Sequence, residues 1–132
     1  RGWTFDMCFL ARQLPIAANL ARACPDQVLV LDHCGVPDIA GGAFAPWAEG
    51  IMALAKLPNV MVKLSGIAAY CTPGTVTLET LRPWVDHVLQ SFGPGRMVWG
   101  SDWPVVLIGT ELRNWLVLTR ELLAGLPCGD EE

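Results

Sequence analysis

The sequence predicts an α/β fold in which short parallel strands alternate with helices. Four apolar runs of about strand length recur along the chain: WTFDMCFL (3–10), VLVLDHCG (28–35), VMVKLSG (60–66) and MVWGSDWP (97–104). Their near-continuous hydrophobicity is typical of strands covered on both faces, and the segments between them have helical spacing. This alternation favours right-handed crossovers and a parallel sheet. Two architectures agree with it: a complete open sheet, or half of an eight-unit barrel, which normally needs about 250 residues.

Two helices are predicted in the first half of the chain. The first begins near Pro15 and stops before Pro25, because proline is tolerated at the start of a helix and cannot continue one. One stripe of this helix carries Ile16, Leu20 and Cys24. The second helix has an apolar stripe at steps of four and three residues, formed by Trp47, Ile51 and Leu54.

Two further helices are predicted in the second half. The third begins around Thr80, because Pro83 is tolerated only close to a helix start. Its apolar face comprises Leu81, Val85, Val88, Leu89 and Phe92, and His87 lies off this face and is expected to be solvated. The fourth helix has Thr110 placed as its cap and Gly125 after its end. Its apolar stripe comprises Leu112, Trp115, Leu116, Thr119, Leu122 and Leu123.

The composition limits the classes of partner and the compartment. The formal charge is −4 with scattered Lys and Arg, so neither nucleic acid nor an anionic membrane is expected as a partner. No apolar run reaches the roughly 18 residues of a membrane span, and no signal peptide is recognised. Five cysteines without a C-x-x-C pair argue against a disulfide framework and a zinc knuckle, and each is expected to be a small buried hydrophobe. A reducing cytoplasm is the expected location.

Ionisable or hydroxyl-bearing residues stand at the end of every predicted strand. They are Asp6, Asp32, His33, Lys63, Ser65, Ser101 and Asp102. In both candidate architectures function gathers beyond the carboxyl ends of the strands. A wholly structural sheet has no need of such a pattern, so a functional site is predicted at this edge.

The first strand-to-helix turn distinguishes the two architectures. An open nucleotide-binding sheet uses a glycine-rich turn there to hold phosphates with backbone N–H groups. The turn in this chain reads FLARQLP and contains no glycine. The half-barrel is therefore favoured.

Three motifs resemble the amidohydrolase-related barrel enzymes, the amidohydrolase 2 family. They are LDHCGVPD (31–38), VMVKLSGI (60–67) and FGPGRMVWGSDWPV (92–105), and they look most like the branch of sugar lactonases and 2-pyrone-dicarboxylate lactonases. The resemblance implies that the four strands are strands five to eight of a (β/α)8 TIM barrel. Residues 1–132 would then be the carboxyl-terminal portion of a single barrel domain, truncated at both ends, without the H-x-H pair that the family carries on its first strand.

The resemblance implies catalytic roles for two residues. Asp102 matches the last-strand acid, which acts as the general base toward the hydrolytic water, or as a metal ligand in relatives with metal. Its structural alternative is an aspartate that caps the loop SDWP through backbone N–H groups. His33 matches the strand-six histidine, which could hold the substrate carbonyl, hold the water or bind a metal.

Four residues are predicted to bind substrate. Asp6 falls near the end of the fifth strand, where metal-dependent relatives place a histidine. Lys63 could bind a substrate carboxylate, with pairing to Asp6 or Asp32 as the alternative, because an unpaired ammonium in an apolar strand is costly. Ser65 could donate to substrate oxygens or fix the following turn. Trp103 could stack on a sugar ring or an aromatic lactone, or simply cover the end of the barrel.

The implied activity is hydrolysis of a cyclic ester, a small-molecule substrate, by water that an aspartate activates. No cofactor is expected, since a zinc site wants about three or four protein ligands and only His33 and Asp102 qualify. A single zinc ion on these two residues and the missing strand-one histidines is the alternative. Two other hypotheses remain: an inactive half-barrel that self-associates or pairs with a complementing amino-terminal half, and a metal-dependent decarboxylase, which would need a strand-five histidine.

Overall fold

The computed structural model describes residues 2–126, which form one parallel sheet flanked by helices. Its strands are β1 (Phe5–Met7), β2 (Leu29–Leu31), β3 (Val60–Leu64) and β4 (Met97–Trp99). They pair in chain order, β1-β2-β3-β4, and all the pairs are parallel. Since sequential parallel strands need crossover helices, this order confirms the predicted α/β fold built from repeated strand–helix units.

The four predicted helices are present. They are α1 (Leu14–Ala23), α2 (Phe44–Ala55), α3 (Leu78–Phe92) and α4 (Leu112–Leu122). Each strand is shorter than its apolar run, because the chain leaves the sheet and passes through a short 3-10 turn before the next helix. These turns are Ala11–Gln13, Asp32–Gly35, Ile67–Tyr70 and Val105–Ile108. Asp32, His33, Ser65, Ser101 and Asp102 therefore lie on turns and loops at one edge of the sheet, whereas Asp6 and Lys63 lie within β1 and β3.

The core lies where the helices cover the sheet. β2 is buried along its whole length, and the predicted stripe of α2, Trp47, Ile51 and Leu54, is fully buried. The outer strands are less covered: Phe5 of β1 is 56% exposed and Trp99 of β4 is 42% exposed. Each of these strands has a neighbour on one side only in the described part of the chain, and its other edge has unpaired backbone groups.

The predicted stripe of α1 is wrong. Ile16 is 57% exposed, and the buried face is formed by Leu14, Ala17, Ala18 and Ala21. Leu14 on this face packs closely against α2. At Gly50 of α2, an added Cβ would lie 2.6 Å from Cδ1 of Leu14, which shows how little space separates the two helices.

Two helix starts also differ from the predictions. α3 begins at Leu78 rather than around Thr80, because the Thr77 hydroxyl accepts a hydrogen bond from Thr80 N at 3.2 Å. α4 is preceded by Glu111 as its cap residue, so Thr110 is not the cap. The Thr110 hydroxyl instead accepts from the Asn114 amide at 2.8 Å.

Four further side chains have surroundings different from those expected. Leu116 is 38% exposed, because α4 buries Trp115, Leu118, Thr119 and Leu122 instead. His87 is half-buried rather than solvated, with Nε2 3.0 Å from the carbonyl oxygen of Ala48. Of the cysteines, Cys34 and Cys71 are buried as predicted, Cys24 is half-buried and Cys8 is exposed, and Cys128 lies outside the described residues.

The amino-terminal edge of the sheet is held by two polar side chains. The Asn59 amide donates to the carbonyl oxygens of Cys24 and Gln27 at 2.9 and 3.1 Å. The Arg96 guanidinium donates to Ala55 O at 2.7 Å and to Leu57 O at 3.1 Å, and so satisfies the end of α2. Within residues 2–126, the structure contains no helix long and apolar enough to cross a membrane.

Candidate active site

The strand-end side chains meet at the carboxyl edge of the sheet, as predicted. His33 and Asp102 form one group of contacts, and Lys63 with Asp6 and Asp32 forms another. Parallel pairing in register brings these ends together: Met7 is opposite Leu31, and Leu64 is opposite Trp99. Residues up to 96 positions apart in the sequence, from Asp6 to Asp102, therefore share one edge.

The imidazole of His33 is fixed by the loop that follows β3. Its Nδ1 lies 2.9 Å from the hydroxyl of Ser65, which is only 1% exposed. Gly66 lies against the same ring. A Cβ added to Gly66 would be 2.7 Å from His33 Cβ and 2.8 Å from its Nδ1, closer than real Cβ contacts. Glycine is therefore required at position 66 for the ring to occupy this place.

Asp102 lies next to this imidazole in a confined position. Its Oδ1 is 3.7 Å from His33 Nδ1, and its side chain is 10% exposed. Burial raises the pKa of the Asp102 carboxyl; the charge of His33 opposes this shift and that of Asp32 adds to it. Its Oδ2 atom is buried and has no hydrogen-bond partner among the described residues. A buried carboxylate oxygen with a free lone pair can accept a proton from a bound water.

Both residues adopt a left-handed backbone conformation that is uncommon for side chains with a Cβ. His33 has φ 53° and Asp102 has φ 55°. Such conformations cost about 1–3 kcal/mol each and persist where the surrounding structure imposes them. Two buried indoles provide that support: Trp47 Nε1 donates to Cys34 O at 2.8 Å, and Trp115 Nε1 donates to Gly100 O at 3.1 Å.

Lys63 is engaged by two aspartates. Its Nζ lies 2.9 Å from Asp6 Oδ2 and 2.6 Å from Asp32 Oδ1. Burial alone would lower the pKa of Lys63, but hydrogen bonds and charge attraction from Asp32 and Asp6 outweigh it and raise this pKa. The geometry therefore agrees with the pairing alternative for Lys63.

The surroundings of Trp103 and Tyr70 could not be predicted from the sequence pattern. Trp103 is 65% exposed, and its backbone N donates to Ser101 Oγ at 3.3 Å. Its stacking on a substrate ring stays a prediction.

Tyr70 is half-buried, and its pKa is raised to about 12. Burial is the main cause, the charge of Asp102 comes next, and Cys8, Cys34 and Asp32 contribute less. No role was predicted for Tyr70 from the sequence, although it is the single tyrosine and closely follows the VMVKLSGI motif.

A cavity of about 540 Å³ opens at this edge of the sheet, beside the loop that carries His33. Tyr70, Arg12 and Asp38 provide its polar groups, and its apolar walls include Leu10, Val36 and Trp47. Its volume falls in the range of about 300–1,000 Å³ found for small-molecule sites. The Asp38 carboxylate accepts a hydrogen bond from Gly41 N at 2.9 Å.

The residues described do not by themselves make a zinc site. No group of three or more His, Cys, Asp or Glu side chains among residues 2–126 is arranged to hold a metal ion. His33 and Asp102 together could supply two ligands, whereas zinc in proteins has three or four protein ligands.

This arrangement, a parallel α/β sheet with a histidine and an aspartate at its carboxyl edge, is consistent with part of a TIM barrel. The whole of residues 1–132 matches the family model described as amidohydrolase, so the chain belongs to the amidohydrolase 2 family, and the predicted resemblance is confirmed.

Characterised relatives and a solved structure agree with this membership. The chain is 40% identical over 101 residues to an L-fucono-1,5-lactonase of Burkholderia ambifaria. The aligned region covers 76% of this chain and 34% of that protein. The chain is 30% identical over 111 residues to a 2-pyrone-4,6-dicarboxylate hydrolase of Comamonas testosteroni, with coverage of 78% and 36%. An amidohydrolase of Burkholderia multivorans, crystallised with bound zinc, superimposes with a TM-score of 0.90 at 30% identity over 96% of this chain and 47% of that chain. The chain thus spans about a third of these curated relatives and about half of the solved structure.

Proposed function

We propose that this chain supplies strands five to eight of a (β/α)8 barrel that hydrolyses a cyclic ester, and that residues 1–132 are the carboxyl-terminal portion of that one domain. The observation that carries the proposal is the pair formed by His33 and Asp102, with Oδ2 of Asp102 buried and free to accept a proton. The relatives' names, a fuconolactonase and a pyrone-dicarboxylate hydrolase, support lactone hydrolysis. They favour neither a decarboxylase nor a packing unit.

Asp102 acts as the general base in this proposal. Its Oδ2 takes a proton from water, and the water oxygen forms a bond to the lactone carbonyl carbon. The ring C–O bond then breaks, and the proton held by Asp102 passes to the departing ring oxygen. The product is a hydroxy acid, and Asp102 returns to its ionised form.

The neutral imidazole of His33 polarises the carbonyl of the ester. Ser65 is buried, and among the described residues Nδ1 of His33 is the hydrogen-bond partner of its hydroxyl. If Nδ1 carried the proton, the Ser65 O–H would lose its acceptor, at a cost of about 1–3 kcal/mol. The Ser65 hydroxyl therefore donates to Nδ1, and Nε2 keeps the proton. An Nε2–H group can donate to the oxygen on which negative charge develops.

The remaining predicted contacts complete the proposal. Ser65 and the Lys63–Asp6 pair shape the site, and Trp103 contacts a substrate ring from its exposed position. His33 and Asp102 would contribute two ligands to a zinc ion if residues outside this chain supplied the others, and the hydrolytic steps above need no such ion. The exposed edges of β1 and β4 are where the remaining strands of the barrel would pair, either from the same polypeptide or from a complementing half.

The test is lactone hydrolysis by the polypeptide in its natural length. Asp102→Asn keeps the shape of the side chain and removes its basicity, so turnover should fall by about 100-fold or more. Asp26→Asn, at an exposed aspartate on the opposite edge of the sheet, is the matched control and should keep full turnover. Full activity in the Asp102→Asn protein, with normal folding by circular dichroism, would overturn the assignment.

A further inference from the structure

The charges at the carboxyl edge of the sheet distinguish between two classes of cyclic ester. We infer that the site takes an uncharged, hydroxyl-bearing lactone and excludes a lactone that carries carboxylate groups, because the ammonium of Lys63 is already bound by the carboxylates of Asp6 and Asp32. This inference rests on the proposed function and adds the substrate class to it.

The balance of charge beside the candidate base is negative. Two carboxylates, those of Asp6 and Asp32, face the ammonium of Lys63, and a third, that of Asp102, lies beside His33. That ammonium lies within 2.9 Å of one carboxylate and 2.6 Å of another, so both partners would have to be displaced before it could bind an acidic substrate. Lys63 therefore does not provide the positive charge that a substrate carboxylate requires.

The position of Asp102 also disfavours the binding of an acidic lactone. Its side chain is 10% exposed, and the charge of an anion bound beside it would be only weakly screened by water. An acidic ring placed with its carbonyl at His33 would meet this carboxylate as a like charge. A neutral ring meets no such repulsion, and its ester carbonyl can still accept from the imidazole.

The adjoining cavity offers groups that suit hydroxyls. Tyr70 keeps its phenolic proton, since its pKa is raised to about 12. Asp38 provides an acceptor and Arg12 a donor, and their opposite charges leave this cavity without a net charge. Sugar hydroxyls both donate and accept, whereas the apolar walls formed by Leu10, Val36 and Trp47 fit the C–H face of a ring.

The same charges favour release of the product. Hydrolysis converts a neutral lactone into a hydroxy acid, whose new carboxyl group ionises and releases its proton to solvent. The product therefore carries a negative charge at the place where the substrate had none. Repulsion from Asp102 and from the Asp6 and Asp32 pair then weakens product binding relative to substrate binding.

The test compares two substrates at neutral pH with the natural-length polypeptide. L-fucono-1,5-lactone is the neutral probe and 2-pyrone-4,6-dicarboxylate the acidic probe. The kcat/KM for the neutral probe should be higher by about 100-fold. A preference for the acidic probe would overturn the inference and leave the proposed function standing, whereas hydrolysis of neither would overturn both.

Two further measurements identify the cause of the preference. Asp6→Asn frees part of the Lys63 charge, and kcat/KM for the acidic probe relative to the neutral one should rise by about tenfold; Asp26→Asn, the matched exposed control, should leave this ratio unchanged. Raising the salt concentration in the unaltered protein should move the ratio in the same direction through screening. A ratio that neither change moves would contradict the role of charge.

Discussion

Nδ1 of His33 and the hydroxyl of Ser65 lie 2.9 Å apart, although 32 residues separate them in the sequence. The contact joins the loops that follow two adjacent strands, so the parallel pairing of β2 with β3 positions it. Ser65 is buried behind the imidazole, while 24% of the His33 side chain remains exposed. The serine thus acts on the substrate through the histidine: we propose that it is a positioning residue.

Replacing Ser65 by alanine should change the tautomer of His33. Without a hydroxyl at Nδ1, the proton is free to move to that atom, and the ¹⁵N chemical shifts of the ring should change. Turnover should fall by about tenfold, with KM less affected, because carbonyl polarisation acts mainly in the transition state.

His87 is the internal reference for this experiment. Its Nε2 lies 3.0 Å from a carbonyl oxygen, which can only accept, so its Nε2 must carry the proton in every variant. Ser101→Ala, at a hydroxyl on the loop after β4, serves as the matched control and should leave the His33 signals unchanged. Identical ring shifts in the Ser65→Ala and unaltered proteins would contradict the positioning role.

Gly66→Ala should displace the imidazole of His33. Gly66 has φ 73°, and its added Cβ would lie 2.7–2.8 Å from three atoms of His33. Gly74→Ala is a well-matched control, since Gly74 has φ 81° and no atom within 4 Å of an added Cβ. Both changes incur the cost of a left-handed alanine, about 1–2 kcal/mol, and only the first adds a clash.

Urea denaturation and lactone turnover separate the two effects. Both alanine variants should lose stability, with the larger loss for Gly66→Ala, and only that variant should lose most of its turnover. Equal turnover in the two variants would show that the position of the His33 ring does not matter for the reaction.

Trp115→Phe should loosen the loop that carries Asp102. The change keeps the aromatic ring and removes the N–H group that donates to Gly100 O at 3.1 Å. Gly100 is half-buried, and loss of this hydrogen bond costs about 1 kcal/mol, so the melting temperature should fall by a few degrees. Turnover should fall as well, because the left-handed conformation of Asp102 loses its support.

Trp103→Phe is the control for this prediction. Trp103 lies on the same loop region and is 65% exposed, so its replacement should leave the melting temperature nearly unchanged. A similar loss of stability in both variants would show that the indole hydrogen bond to Gly100 is not what holds the loop.

The α/β fold and the meeting of strand-end side chains at one edge of the sheet were predictable because they depend on local patterns. Continuous apolar runs predicted the strands, and polar residues at their ends predicted where side chains such as His33 and Asp102 would meet. The stripe on α1 was not predictable in this way. Ile16 is more hydrophobic than Ala17 and Ala21, but the two alanines lie on the buried face of α1 and Ile16 does not.

Features that depend on tertiary contacts were also not accessible from the sequence. Trp47 and Trp115 were assigned to apolar stripes, and both are fully buried, yet their N–H groups reach the loops that carry His33 and Asp102. No motif or periodicity in the sequence indicated a role for Tyr70. Its relation to Asp102 arises because the turn after β3 folds back toward the end of β4, which only the assembled sheet determines.

The pH dependence of stability should change in Asp102→Asn. Burial raises the pKa of this carboxyl in the folded protein above its value in the unfolded chain, so the protonated form is the one that folding favours. The stabilising contribution is then fully present below the unfolded pKa and is lost as the pH rises through the folded pKa. At neutral pH the carboxylate destabilises the fold, and the asparagine variant should be the more stable protein.

Urea denaturation at pH 4 and pH 7 measures this difference. The Asp102→Asn protein should gain stability over the unaltered protein at pH 7, and the gain should shrink toward pH 4. The acidic limb of the pH–rate profile should be shifted toward higher pH for the same reason, because the proposed general base must be ionised. A stability difference that does not vary with pH would show that Asp102 has an ordinary pKa, and with it that the site does not tune the base.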